Sequence, residues 1–307
     1  MKLIKSTLCI ATVMNMGCQT TMKPTSRFNQ IDFQGHRGAR GLSPENTMVS
    51  FLQCYRYGMN TIELDTTLTK DGDLIIHHDV ETNPGLCQRR DGGPIEKQPV
   101  RQMTVSELKT FDCGSKPNAR FPGQELSPGE SLVTLSEFFT KIRAYESSSS
   151  VSVPMRFNVE VKVSEDFTEE ELARSVEALK IAVLKNDVAK RTTVQSFRLE
   201  LLPMVKEHLP DVALAALFEP TPEQEKQLKK GSAANGMEIL ETAKELGVDI
   251  ISPYFGYVSS AFLAKAKSLS LKVIPWTVNR PDDMETLLEL GVDGLITDYP
   301  DRLSKFR

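Results

Sequence analysis

From Leu135 to the end of the chain, short apolar runs alternate with segments of helical periodicity, and this alternation constrains the fold most. The spacing predicts a helix over 135–145, a linker at 147–150 and a strand over 156–162. A helix follows from 168 to about 184, opened by a capping box in which Thr168 and Glu171 satisfy each other's backbone amides. Strand 193–197, helix 199–208, strand 212–218, helix 236–246 and strand 249–252 come next. Helix 259–269, strand 272–277, helix 281–290, strand 294–297 and a last helical turn complete the series. The polar run 223–230 reads as a solvated charged loop. Nearer the N-terminus, strand 31–36 is followed by a helix that opens at 43–47, turns Met48, Phe51, Leu52 and Tyr55 to one face and stops at Gly58. A further strand starts at Thr61. About eight strands that mostly alternate with helices imply parallel βα units, and eight of them favour a closed (β/α)8 TIM barrel over an open sheet. Between about 80 and 134 the periodicity fades into Pro, Gly and polar residues. That stretch reads as an insertion after the second strand, too poor in apolar residues for a core of its own. It carries one short helix at 104–111, with Thr104 and Glu107 as a second capping box.

Polar residues gather at the strand ends. Glu63 and Asp65 alternate with Ile62 and Leu64, so the carboxylates share one face of a strand and the aliphatics the other. Asp71-Gly72 is a turn signal, and Leu74, Ile75 and Ile76 lead back as a second short strand that delivers His77, His78 and Asp79. A surface hairpin with a solvated acidic face would account for an isolated Glu-x-Asp, but not for the histidines that follow. His36 and Arg37 end the first strand, Glu160 and Lys162 the third, Gln195 the fourth and Trp276 the seventh, with Asp298 just past the eighth. Those ends are where barrel chemistry collects. Charged groups pointing into a barrel are costly unless they bind something. A buried salt-bridge layer accounts poorly for three carboxylates and two histidines at one end. Carboxylates without accompanying cysteines suit one hard divalent ion, Mg2+ or Ca2+. Histidines carry protons near neutral pH, and Arg37 and Lys162 can meet a phosphate. Together these describe a site that cleaves a phosphodiester. The net charge of -4 argues against a nucleic-acid partner.

HRGARGLSPENT, IELDTTLTKDGDLIIHHD, VEVK, VQSF, PWTVN and ITDYPD resemble, in order, the motif series of the glycerophosphodiester phosphodiesterase family, over roughly Phe33 to Leu303. The resemblance implies a (β/α)8 barrel with a long insertion after the second strand. It implies hydrolysis of a small-molecule glycerophosphodiester, a deacylated phospholipid, to sn-glycerol 3-phosphate and an alcohol. By position, Glu63, Asp65 and Glu160 resemble the family's metal ligands, His36 and His78 its acid/base pair, and Arg37 and Lys162 its phosphate contacts. Trp276 resembles the aromatic on the glycerol side. The family's His-Asp pair aligns with His78 and Asp79, which leaves His77 as an extra histidine. Two other readings are a phospholipase D-like activity on lysophospholipids or sphingolipids, and a non-catalytic phosphodiester-binding lipoprotein.

The N-terminus is of a different character. Lys2 and Lys5 precede an apolar run from Leu8 to Met14, then Gly17-Cys18 and a polar stretch. That is the layout of a secretory signal, too short to span a membrane. Gly before Cys resembles a bacterial lipoprotein box, although Asn15 stands where an aliphatic residue is usual. The expected organisation is a signal peptide over 1–17, a polar tether over 18–30 beginning at a lipidated Cys18, and the barrel domain over 31–307. The protein is thus expected to be exported, as a periplasmic or membrane-anchored lipoprotein of a bacterium, touching membrane only through that anchor. Gln19 rather than Asp after the cysteine suits an outer-membrane destination in a Gram-negative host. Export permits disulfides, and Cys87 and Cys113, in one loop-rich region, are the expected pair. Cys54 falls in a helical pattern and is expected to pack as a small apolar residue.

Overall fold

The computed structural model describes residues 28, 30–149, 151, 153–229 and 236–307. The signal segment and Cys18 lie outside the described residues. Strands β1 (Asp32–Gly35), β2 (Thr61–Leu68), β6 (Arg156–Lys162), β7 (Thr192–Ser196), β8 (Ala213–Phe218), β9 (Ile250–Pro253), β10 (Lys272–Val273) and β11 (Gly294–Thr297) pair in parallel as the barrel staves. β1 pairs with both β2 and β11. Between β10 and β11, Asp293 N–H donates to Val273 O at 3.0 Å and Ile296 N–H to Pro275 O at 3.1 Å, which draws the ring shut. A short antiparallel strand, β3 (Leu74–Ile76), folds back on the end of β2. A ribbon of β4 (Gln88–Arg89) and β5 (Phe111–Asp112) belongs to the insertion.

Helices α1 (Met48–Arg56), α3 (Leu135–Ser148), α4 (Glu169–Lys185), α5 (Leu201–His208), α7 (Met237–Glu245), α8 (Ser260–Ser268) and α9 (Pro281–Leu290) connect the staves, and α10 (Pro300–Leu303) follows β11. The short α2 (Val105–Leu108) lies in the insertion. The capping boxes at Thr104 and Thr168 form, with another at Thr134, so these helices start where a threonine can satisfy their first free amides. Period-two alternation sorts β6: Phe157, Val159 and Val161 join the core shared with the helices, where Phe157 meets Phe138 edge-on and Phe139 at a tilt. Asn158 on the opposite face donates to Gln34 at 2.9 Å and Gln195 at 3.0 Å, inside the barrel. Facing β8 to β11, the inner filling is instead apolar, from Ala215, Ile250, Ile274 and Ile296.

Four local expectations change. The run after β8 is a helix, α6 (Pro222–Lys229), not a loop. α3 continues through Ser148, into the expected linker. The seventh stave keeps only Lys272–Val273 in regular pairing, because Pro275 has no amide to donate. The insertion does bury a cluster of its own, including Cys87, Ile95, Val100, Leu108 and Phe111, around Ile75 of β3. The Cys87–Cys113 disulfide, with Cα atoms 4.1 Å apart, closes that cluster. Cys54 is a buried thiol. No described helix is long and apolar enough to cross a membrane.

Candidate active site

The carboxylates come from neighbouring staves. The β2–β6 register sets Asp65 beside Glu160, and alternation puts Glu63 two residues back on the same face. One oxygen from each lies within 4.8 Å of the others, and all three residues are buried. Such crowding must be answered by donors or cations. Glu63 accepts from the Arg37 amide at 2.7 Å and from Gln195 at 2.9 Å. Asp65 accepts from Asn46 at 2.9 Å, with Arg37 Nε 3.2 Å from the same oxygen. Lys162 Nζ lies 2.7 Å from Glu160 and 3.4 Å from Asp65 Oδ1. That Oδ1 is buried without a hydrogen bond. Burial and the neighbouring carboxylates push Glu63 well up, and burial pushes Glu160 up against the pull of Lys162. Burial opposes ionisation of Asp65 too, but Arg37 and Lys162 overcome it and hold Asp65 well below the usual range. Two cations for three close carboxylates, and an orphaned acceptor, fit one hard divalent ion with oxygen ligands.

The tight turn after β1 brings in the next groups. Gly38, at φ +81, lies so close to α1 that a Cβ there would sit 2.6 Å from the Ser50 carbonyl carbon. This turn aims the Arg37 amide at Glu63 and the His36 ring into a cavity of about 780 Å³. His36 Nδ1 lies 2.7 Å from Asp298 on the loop after β11, a stave adjacent to β1. A carboxylate at that distance requires the proton on Nδ1, which leaves Nε2 with its lone pair. Burial lowers His36 to about 4, with Asp298 pulling the other way and Arg40 adding to the depression. Asp298 also accepts from Arg40 at 2.8 and 3.1 Å and from Asn279 at 2.7 Å. His78 repeats the pattern on the hairpin: its Nδ1 lies 2.7 Å from Asp79, which Asn83 steadies at 2.7 Å.

His36, His78, Arg37, Lys162, Glu63, Glu160 and Trp276 all line this cavity, with Asp65 buried beneath. His77 does not: its Nε2 is turned to the Glu81 carbonyl at 3.1 Å. Trp276 forms an aromatic wall with Phe197, ring centroids 5.5 Å apart, and its indole donates to Ser252 O at 2.8 Å. Arg37 is already clamped by Glu45 at 2.6 Å as well as by Asp65, so any phosphate it meets must share it. Asp298, Arg40, Asn279, Asn46 and Phe197 take roles here that the sequence alone does not announce. Each lies within or beside a quoted motif, but its task depends on which staves are neighbours.

The profile of the glycerophosphoryl diester phosphodiesterase family matches residues 36–302. The chain belongs to that family. It is a phosphoric diester hydrolase, and the glycerophosphodiester phosphodiesterase of Caldanaerobacter subterraneus is 28% identical to it over 271 residues, covering 87% of this chain and 94% of the relative. The Bacillus subtilis enzyme of that name is also 28% identical, over 89% of this chain and 85% of its own. Among solved structures, a Silicibacter pomeroyi protein carrying the family's name superposes with a TM-score of 0.79 at 26% identity, over 90% of this phosphodiesterase and 92% of that chain. An Oleispira antarctica phosphodiesterase in complex with the product sn-glycerol-3-phosphate shares the fold, with a TM-score of 0.67 at 21% identity, over 90% and 96% of the two chains.

Proposed function

We propose that this phosphodiesterase releases sn-glycerol 3-phosphate and an alcohol from glycerophosphodiesters, using one divalent ion and two histidines. The observation that carries the reading is the pair of imidazoles, each with a carboxylate on Nδ1, opening into one cavity above three clustered carboxylates. Glu63, Asp65 and Glu160 would hold Mg2+ or Ca2+, which supplies charge neutralisation and orientation for the phosphate. Lys162 and Arg37 bring further positive charge to the phosphoryl oxygens. Trp276 and Phe197 offer an apolar face to the glycerol carbons. His36, kept unprotonated by burial, is ready to take the proton of the attacking hydroxyl at Nε2, and Asp298 stabilises the resulting imidazolium. His78, oriented by Asp79, then protonates the leaving alkoxide. The Oleispira relative with the same fold, in complex with sn-glycerol-3-phosphate, supports that product.

Release of sn-glycerol 3-phosphate from glycerophosphocholine, with and without EDTA, tests the reading. Steady turnover that chelation abolishes is expected. Preference for lysophosphatidylcholine would support the phospholipase D-like alternative, and tight binding without turnover would support a binding protein. We also propose export with lipidation at Cys18; intact mass of membrane-extracted protein, showing an acylated Cys18 as the first residue, checks it.

A further inference from the structure

The cavity has two unlike sides. Its aromatic wall stands on the staves from β7 to β10. Over β11 and β1 the lining comes from Arg40, Arg120, Phe121, Tyr299 and Arg302. Arg120 and Phe121 belong to the insertion, which reaches over the barrel mouth here: Glu125 N–H donates to Leu42 O at 2.8 Å and Gln124 to Ser43 O at 3.1 Å. These residues form one continuous strip. Arg40 lies 4.8 Å and Arg120 5.8 Å from the Phe121 ring centre. Phe121 meets Tyr299 with centroids 6.2 Å apart, and Arg302 stacks on Tyr299 at 3.6 Å. Gly41 makes room for this, since a Cβ there would lie 2.4 Å from the Tyr299 ring.

The charges along this lining are unevenly paired. Arg37, Arg40 and Lys162 each have a carboxylate partner. Among the described residues, no carboxylate lies within ion-pair distance of Arg120 or Arg302, although Arg302 donates to Asn279 O at 2.8 Å. The carboxylate that lines the cavity on this side, Asp298, is already shared by Arg40 and His36. Glu219, which also lines the cavity, follows β8, the fifth stave and so across the ring from β1. Two stacked guanidiniums with donors to spare, beside a reaction centre, suit an anion with several oxygens.

We propose that this strip is a second anion subsite, which receives a phosphate carried on the alcohol half of the substrate. The proposal rests on the hydrolase reading and refines it. The substrate class would be a glycerophosphodiester whose leaving alcohol bears a further phosphodiester. A choline headgroup would meet the strip with the wrong sign.

The test compares initial rates at low ionic strength, where screening is weakest. Bis(glycerophospho)glycerol carries the extra phosphate, glycerophosphoglycerol is its neutral-headgroup counterpart, and glycerophosphocholine is cationic. Wild-type kcat/KM should favour the first over the second by about tenfold, beyond the twofold gain from its two equivalent ends. Arg120→Ala and Arg302→Gln should each remove about threefold of that preference and the double variant nearly all of it, with glycerophosphoglycerol turnover within about twofold of wild type. A wild type without the preference, or a preference that survives in the double variant, overturns the proposal. If no substrate is turned over, the hydrolase reading fails separately. Calorimetric binding of bis(glycerophospho)glycerol and glycerophosphoglycerol to the His78→Ala protein, with and without Arg302→Gln, then decides the subsite on affinity alone. Tighter binding of the first that Arg302→Gln weakens supports it; equal binding overturns it.

Discussion

Asp298→Asn is the sharpest probe of the site. The change keeps the volume and removes one charge. Four donors converge on the two carboxylate oxygens: His36 Nδ1 and Arg40 Nε on one, Arg40 Nη2 and Asn279 Nδ2 on the other. An asparagine can accept at one of these positions only. If its NH2 faces His36, the imidazole must move its proton to Nε2, and the lone pair that faces the cavity is lost. If the NH2 faces Asn279, relief needs that amide to flip, which breaks its bonds from the Asp298 amide at 3.0 Å and Thr297 at 3.3 Å. In both cases the Arg40 guanidinium, 5% exposed, keeps its charge without a charged partner. Breaking a buried pair in this way costs about 3–5 kcal/mol. Turnover should fall by about 100-fold or more, the scale for losing a positioned general base. Urea unfolding followed by circular dichroism reads the first effect, and glycerophosphocholine turnover at saturating metal reads the second. A variant within about 1 kcal/mol of wild-type stability, with turnover within a few-fold, would refute the argument.

Glu63→Ala, Asp65→Ala and Glu160→Ala should each weaken Mg2+ or Ca2+ binding and remove most activity; wild-type metal affinity in all three, by calorimetry, would move the metal elsewhere. His78→Ala should cost about 100-fold in turnover and His77→Ala far less, because His77 is turned toward Glu81; the reverse order in the same assay would exchange their roles. The Cys87–Cys113 bridge, 26 residues apart, restricts the unfolded insertion by about 3.5 kcal/mol in the chain-entropy model. Reduction should therefore expose the insertion to protease before the barrel, and simultaneous cleavage of both would count against this. Because burial depresses His36 to about 4, the unfolded chain takes up that proton first as pH falls. Stability from this group is whole above about pH 6.5 and drops towards pH 4, by at most about 3 kcal/mol. The drop should flatten in His36→Gln, as read by urea midpoints across that range.

The barrel and its carboxylates were legible because both rest on short-range periodicity. Alternation alone puts Glu63 with Asp65 and Glu160 with Lys162, and strand ends mark the chemical face. What stayed hidden depends on tertiary neighbours. Asp298 can be assigned to His36 only once β11 is known to lie beside β1. The insertion's cluster draws on residues scattered from Cys87 to Leu132 and on Ile75 of the hairpin, so no local window shows it. α6 is built from Pro222-Glu-Gln-Glu-Lys, a run with no apolar stripe to announce a helix.

The hydrogen bond between His36 and Asp298 spans 262 positions in the chain. Few contacts in a protein ask for a larger loop to be closed, and such contacts form late because their entropy must be met first. Recovery of turnover during refolding should therefore report the final joining of β1 to β11, and lag behind any signal from helix formation. A partly folded barrel, however native its secondary structure, would be catalytically silent.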